Sequence, residues 1–554
     1  MTTPRPTEGP GPVGEAAPGD PEAWFLTADE RGNPGTLIDA RRGDGRAWTA
    51  GNDVLVHIDG ASYFPRLHAA LQGAEPGEHV WITDWEGDAS ERLDGPETEI
   101  GRTLEALARR GVEIKGLLWR SHPRQAHFNE QDNMHLARSV NDDGAELVLD
   151  ERVRRGGSHH QKIVVVGGPA PARPTDVAFA GGIDLCNGRG DDGRHQGDPQ
   201  VNGDLDPVYG DRPPWHDAQL EVRGPAVSDL AWTFRERWND HAPLDHRNPV
   251  RAVQRRLLRQ PRVLEPLPEP PVRPRGTGPH QVQVLRTYPS RRPRYAFAPA
   301  GERSIARAHL KALRRARRLV VIEDQYLWSR DGAEALADAL RTYRELQLVI
   351  VVPRFPDQDG RFSGPANRYA RHRFIQLVRA AGGPRVAVYD LVNDAGTPIY
   401  VHAKVCVIDD VWLEVGSDNL NRRSWTHDSE VGCSVLDETL DQREPPDPGG
   451  QGDGARVLAR ETRLALWREH LGRAAGYDAD LVEPGSAFDA LAASAARLAA
   501  WADGDRRGPR PPGHLAVHHS DPGPRWMRPL AAVAYRTTLD PDGRPGDLRR
   551  ASTY

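Results

Sequence analysis

The chain is poor in cysteine: Cys186, Cys406 and Cys433 are the only three in 554 residues. That odd number has neither the spacing of a metal site nor that of a disulfide framework, so the three are expected as small core residues. Positive charge is not in excess either. Lys and Arg number 73 against 79 Asp and Glu, a formal net charge of −6, and no global basic field marks the chain for nucleic acid. Long apolar runs are missing: nothing approaches a membrane span, and the first twenty residues hold no signal-peptide core. These absences predict a cytoplasmic protein with at most peripheral membrane contact and no nucleic-acid partner.

Glycine and proline are plentiful, at 55 and 48, which predicts many turns and long connections. Residues 1–20 are rich in Pro, Gly, Thr and Glu and are expected to be disordered. A second Pro-rich stretch, "LEPLPEPPVRPRGTG" at 264–278, reads as a linker between a unit at 21–263 and another at 279–502, with a polar tail at 503–554.

The two units repeat each other. "HVWITDWEGD" places Val80, Ile82 and Asp84 where "LVVIEDQYLW" places Val320, Ile322 and Asp324, a constant offset of 240. After each comes a helical apolar pattern, Ile100, Leu104 and Leu107 in one and Leu336, Ala339 and Leu340 in the other, and then another strand pattern. "HHQKIVVVGG" then answers "VHAKVCVIDD", and "VAFAGGIDLCNGR" answers "VWLEVGSDNLNRR". Alternating strands and helices in duplicate predict two homologous α/β domains packed about a pseudo-two-fold axis, with equivalent residues meeting between them.

The chemistry sits on one pair of strands. His160 and Lys162 are two apart and so share a strand face, as do His402 and Lys404. If the pairs converge, one imidazole serves as nucleophile, the other as general acid, and two ammonium groups neutralise charge on a phosphoryl group. Phosphodiester cleavage is the matching reaction, and it requires no metal or other cofactor, since the lysines supply the charge.

"HAKVCVID" is the HxKxxxxD signature of the phospholipase D superfamily, and "GSDNLNRRSWTHDSE" resembles the segment downstream of that signature in its members. "HHQKIVV", "FAGGIDLCNGR" and "PWHDAQLEVRGPAVSDLAWTFRERWN" resemble the eukaryotic-type phospholipases D in particular, over roughly residues 50–475. The resemblance implies that one histidine attacks phosphorus to form a phosphohistidine while the other protonates the leaving alcohol. Family order makes His160 the nucleophile and His402 the acid, and symmetry leaves the reverse open. It also implies a carboxylate from a later strand on each histidine's second ring nitrogen. Glu430 matches that place after His402, and Asp217 is its counterpart after His160. His216, beside Asp217, is expected on the far face of its strand.

Ser417 and Asn419 are expected to donate to phosphate oxygens or to the lysines, and Gly181 and Gly182 to permit close backbone approach. Asp409, the last letter of the second motif, reads as structural, on the far face of an unbroken strand; Gly167 stands at its place in the first half. The acids from Asp191 to Asp211 read as a solvated loop, without EF-hand spacing, and calcium dependence stays open. The helix-like 488–502, with Leu491, Leu498 and Trp501, is expected to pack on the second half.

The expected substrate is a phosphatidylcholine-like glycerophospholipid at a membrane surface, cut to phosphatidate and alcohol, with transphosphatidylation when an alcohol intercepts the intermediate. The alternatives are a cardiolipin-synthase-like transferase, a nuclease, or a non-catalytic phospholipid-binding protein.

Overall fold

The computed structural model describes residues 19–40, 44–120, 130–168, 175–201, 205–244, 279–357 and 363–554, together with 173, 253, 256, 261, 263–270, 276 and 278. Val- and Ile-rich runs such as Ile163–Gly167 and Gln347–Val351 form strands buried on both faces, as expected where helices cover one side and a second sheet the other.

The strand order is the same in both halves. In the first it runs Thr49–Ile58, Ala218–Arg223, Val177–Gly181, Ile163–Gly167, His79–Asp84, Glu113–Trp119, Glu146–Asp150. In the second it runs His280–Tyr288, Glu430–Asp437, Trp412–Gly416, Val405–Ile408, Leu319–Glu323, Gln347–Val351, Val386–Val392. In each half the last three strands are parallel and the others antiparallel. Two homologous α/β units are thus joined in one chain.

The inner faces of both sheets share one apolar core, which also takes in Leu230 and Phe234 of the helix Ala226–Trp238 and Leu464 and Trp467 of Val457–His470. The outer faces are covered separately. Helices Gly60–Gln72, Ile100–Arg109 and Glu130–Asn141 pack on the first sheet, and Ser304–Arg315, Arg330–Thr342 and Ser363–Gly382 on the second. Cys186, Cys406 and Cys433 are all buried and unpaired.

The ends of the units differ from the expectation. The stretch after 502 is no tail but part of the fold: Leu515–Val517 adds a strand antiparallel to Tyr389–Leu391, and the C-terminal Tyr554 is buried against Trp425. Three residues among prolines and glycines carry no readable strand period, yet a sheet edge gives them ladder partners. The linker is no free tether over its described part, since Leu264 and Leu267 lie in the shared core and the Leu267 N–H donates to Asn239 Oδ1 at 2.8 Å. Residues 1–18, most of the stretch expected to be disordered, lie outside the described residues; Gly19 donates its N–H to Asp453. Leu491 and Leu498 of the helix Pro484–Asp503 are buried, and Trp501 is half-buried.

The acids of the 191–211 loop are not merely solvated. Asp191 Oδ2 accepts N–H bonds from Gly197 and Trp215, and Asp198 Oδ2 accepts from Gly188 and Gly190. A loop with few apolar side chains holds its shape through such bonds, because buried backbone N–H groups need acceptors. Asp409 is structural, but for a different reason than expected. The strand stops at Ile408, and Asp409 turns at φ 53° to accept N–H bonds from Arg317, Arg318 and Leu319. Gly167 instead stays in its strand opposite His79, and Asp176 accepts the N–H groups of Gly168 and Arg173.

Candidate active site

The two motif histidines are held by the opposite half. The backbone N–H of His160 donates to Ser429 O at 2.9 Å, and that of His402 donates to His216 O at 2.8 Å. Ser429 and His216 each directly precede one of the predicted carboxylates, so each bond delivers a carboxylate to the other half's histidine. His160 Nδ1 lies 2.8 Å from Glu430 Oε2, and His402 Nδ1 lies 2.6 Å from Asp217 Oδ2. Order along the chain matches Glu430 to His402 and Asp217 to His160. The structure crosses the pairs, because the pseudo-two-fold axis runs between the strand ends.

The lysines are also paired. Lys162 Nζ stands 3.0 Å from Asp184 Oδ1, so the charge of this buried carboxylate is neutralised by the lysine. Lys404 Nζ donates to the carbonyl of His402 and to Gln325 Oε1 at 3.3 Å. Trp85 meets His160 edge-on at 6.2 Å, and Trp215 leans on His402 at 5.0 Å.

Ser417 does not donate toward a phosphate or a lysine. Its hydroxyl donates to Glu430 Oε2 at 2.6 Å and accepts the Val431 N–H, so it fixes the carboxylate that fixes His160. In the first half Gly182 occupies the same place, and a Cβ there would come within 2.2 Å of Asp217 Oδ1. A Cβ at Gly181 would likewise meet Gln219 Oε1 at 2.5 Å. The close approach that the glycines permit is therefore to the first half's own later strand. Asn419 donates its backbone N–H to Ser424 Oγ, and its side-chain oxygen is buried with no hydrogen bond among the described residues.

Electrostatics lower both histidines and set their two carboxylates apart. Burial, then Lys162 and Lys404, hold the His160 imidazole well below its ordinary value. Burial and Lys404 lower His402 to about 3, against the pull of Asp217. Asp217 itself is pushed up by burial, but His402 and Lys404 outweigh that and hold it below the usual carboxylate range. Glu430 goes the other way, raised by burial and by Asp428. Burial brings Lys404 down to about 8 despite Asp217.

Sequence reasoning missed Trp85 and Gln325, which come directly after Asp84 and Asp324 at the same offset of 240, so the repeat itself was the available signal. It also missed the network behind Asp217. His216, on the far face as expected, reaches Glu323 at 2.8 Å and lies 3.0 Å from both Asp59 and Glu469. His195 Nε2 stands 3.1 Å from the same Glu469, a donor set compact enough for a metal ion. A cavity of about 580 Å³ between Arg371, Asp390 and Trp501 is lined by none of the four motif residues.

A sequence model of the Phospholipase D family matches residues 90–333 and 386–518. The chain belongs to that family. A model described as Cardiolipin synthase, PLD-like domain also matches 310–443. Phospholipase D alpha 1 of Ricinus communis is 26% identical over 519 residues, covering 71% of this chain and 62% of the relative. Phospholipase D beta 2 of Arabidopsis thaliana is 26% identical over 557 residues, covering 78% and 58%. This family member thus spans under two thirds of the length of those relatives. A phosphatidylserine synthase structure from Haemophilus influenzae Rd KW20 aligns at a TM-score of 0.47 and 15% identity, covering 71% of this chain and 84% of that one. Among the described residues no helix is long and apolar enough to cross a membrane.

Proposed function

We propose that the chain is a phospholipase D, cleaving the distal phosphodiester of glycerophospholipids such as phosphatidylcholine through a phosphohistidine. The observation that carries this reading is the crossed pairing, which turns Nδ1 of each motif histidine to a carboxylate and leaves Nε2 for the substrate, with Lys162 and Lys404 acting on His160 and Lys404 on His402.

In the first step His160 Nε2 attacks phosphorus, the bond from phosphorus to the head-group oxygen breaks, and that oxygen takes a proton from His402 Nε2. Phosphatidyl-His160 remains. In the second step water gives a proton to His402, its oxygen attacks phosphorus, and the P–N bond breaks to release phosphatidate. Lys162 and Lys404 bear the phosphoryl charge in both steps. The assignment rests on the carboxylates. An ionised Asp217 stabilises an imidazolium at His402, whereas Glu430, pushed toward its neutral form, leaves His160 unprotonated and nucleophilic. His402, lowered to about 3 by burial and Lys404, takes up its proton with the anionic phosphodiester, whose charge offsets that of the lysine. No step is assigned to a metal, and contact with the lipid surface is peripheral.

The match to the Cardiolipin synthase, PLD-like domain favours a second outcome from the same intermediate, transfer of the phosphatidyl group to an alcohol. Mass spectrometry of vesicles incubated with the protein tests both. Phosphatidate and free choline are expected, with phosphatidylbutanol when 1-butanol is added. Absence of product from phosphatidylcholine, phosphatidylethanolamine and phosphatidylglycerol would refute the reading, and degradation of single-stranded DNA instead would make the chain a nuclease.

A further inference from the structure

Behind the second motif strand, on its helix-covered side, lies a polar cluster that the proposed chemistry does not use. His309, from the helix Ser304–Arg315, faces Cys406 and Glu414 on adjacent strands and Asp418 just beyond. All four are buried, at 5%, 3%, 2% and 4% exposure. In the first half the same places hold Val164, Phe179 and Ile183, where Val164 pairs with Phe179 as Cys406 pairs with Glu414. Those three are ordinary members of the apolar core. One copy of the repeat thus carries a thiol and two carboxylates where the other carries hydrocarbon. Burying two such carboxyls costs several kcal/mol each unless something compensates them.

Partners within the cluster compensate them only in part, since His309 alone stands between the two carboxyls. Among the described residues neither ring nitrogen of His309 completes a hydrogen bond, and neither do Glu414 Oε1 or Asp418 Oδ1. His309 Nε2 stands 3.5 Å from Glu414 Oε2 and 3.5 Å from Asp418 Oδ2. That is long for a hydrogen bond, but it matches the edge of a tetrahedron whose ligands lie about 2.1 Å from a central zinc, about 3.4 Å. The donors border a cavity of about 10 Å³, near the space that one small bound species needs. Gly416 and Gly432 make room for the carboxylates: a Cβ at Gly432 would fall 2.3 Å from Glu414 Oε1, and one at Gly416 would fall 2.7 Å from Asp418 Oδ1. Trp412 and Trp425 pack against the imidazole at 5.6 and 5.8 Å.

We propose that His309, Glu414 and Asp418 bind one zinc ion, with the Cys406 thiol bordering the fourth position. A neutral imidazole and two carboxylates leave a divalent ion with no net charge, which solves the burial problem. Nitrogen and oxygen donors with a neighbouring sulfur suit zinc rather than calcium or magnesium. The ion ties the helix to the strand Trp412–Gly416 and the turn after it, and it takes no step in the reaction.

The full chain is stripped with dipicolinate and titrated with zinc, and with cobalt as a spectroscopic probe. One equivalent of each is expected to be retained after gel filtration, with the ligand-field absorption of four-coordinate cobalt and a higher melting temperature in zinc. His309→Gln is expected to lose the equivalent. The triple variant His309→Leu, Glu414→Phe, Asp418→Ile, which gives the site an apolar set like that of the first half, is expected to fold and to bind none. Zinc that is not retained by the wild type, or a bound stoichiometry that the two variants fail to lower by one equivalent, overturns the proposal. If His309→Gln does not fold, the wild-type stoichiometry and the triple variant decide.

Discussion

In the first half the motif histidine is 15% exposed at its side chain and rests on a glutamate whose carboxyl burial pushes up. In the second half the histidine is 7% exposed and rests on an aspartate held below its usual range. Ser417 buttresses the glutamate, whereas Gly182 makes space for the aspartate at the equivalent position. Burial pushes both carboxyls up, Asp428 adds to that at the glutamate, and His402 and Lys404 outweigh it at the aspartate, so two copies of one strand order have acquired different proton affinities. Duplicated frameworks can divide labour in this way, because a carboxylate's state depends on its immediate neighbours more than on the fold.

The sharpest way to break the comparison is to remove the histidines one at a time. His160→Ala is expected to lower kcat by about 10⁶-fold, the scale on which removal of a nucleophile costs. His402→Ala should lose as much on phosphatidylcholine, yet still give a single burst of nitrophenol from a nitrophenyl phosphodiester, whose leaving group needs no acid. Stopped-flow absorbance reads the burst. A burst in His160→Ala and none in His402→Ala would reverse the roles.

The carboxylates come next. Asp217→Asn replaces the acceptor on His402 Nδ1 with an amide and sets the wrong tautomer, for which about 10³–10⁴-fold in kcat is expected. Glu430→Gln should cost at least about tenfold less, since its carboxyl already leans toward the neutral form. Equal losses in steady-state kcat would erase the electrostatic difference between the halves.

A smaller effect distinguishes the lysines. Lys404 is lowered to about 8, so it is charged below that pH and loses its proton as pH rises through it, removing charge from the phosphoryl site. The profile of kcat/KM should therefore fall above about pH 8. Lys404→Arg, which stays charged throughout, should move that alkaline limb upward at a lower maximal rate. An unmoved limb would assign it to another group.

How much of this is legible in the sequence depends on which interactions are periodic. The strands, the repeat and the two His/Lys pairs are legible because each is a fixed spacing on one element. The carboxylates Glu430 and Asp217 are legible as members but not as partners. Proximity along the chain favours Glu430 with His402, while the bonds from His160 to Ser429 and from His402 to His216 hand each acid across the axis. Ser417 belongs to the site but with a different recipient than expected, since nothing in a spacing says which acceptor a hydroxyl meets. Leu515–Val517 is illegible because three residues are too short to show a period.

The mildest test concerns the motif's last letter, where the halves differ outright. Asp409 gathers three N–H groups at the start of the strand Leu319–Glu323, two of them on Oδ1. Asparagine can keep one side of that arrangement, but it turns an NH₂ toward an N–H on the other, leaving a buried donor unpaired. A cost of about 1–3 kcal/mol is expected, which in a unit of this size lowers Tm by roughly 2–4 °C per kcal/mol. kcat should be unchanged, because no atom of Asp409 bonds to His402 or Lys404. Asp176→Asn is the matching change in the first half. Asp176 divides its two oxygens between Gly168 and Arg173, and Arg173 is separately anchored to Glu78, so a smaller loss is expected. Differential scanning calorimetry of the two variants compares the supports directly. A larger shift for Asp176→Asn would mean that the half without the motif aspartate depends more heavily on its substitute.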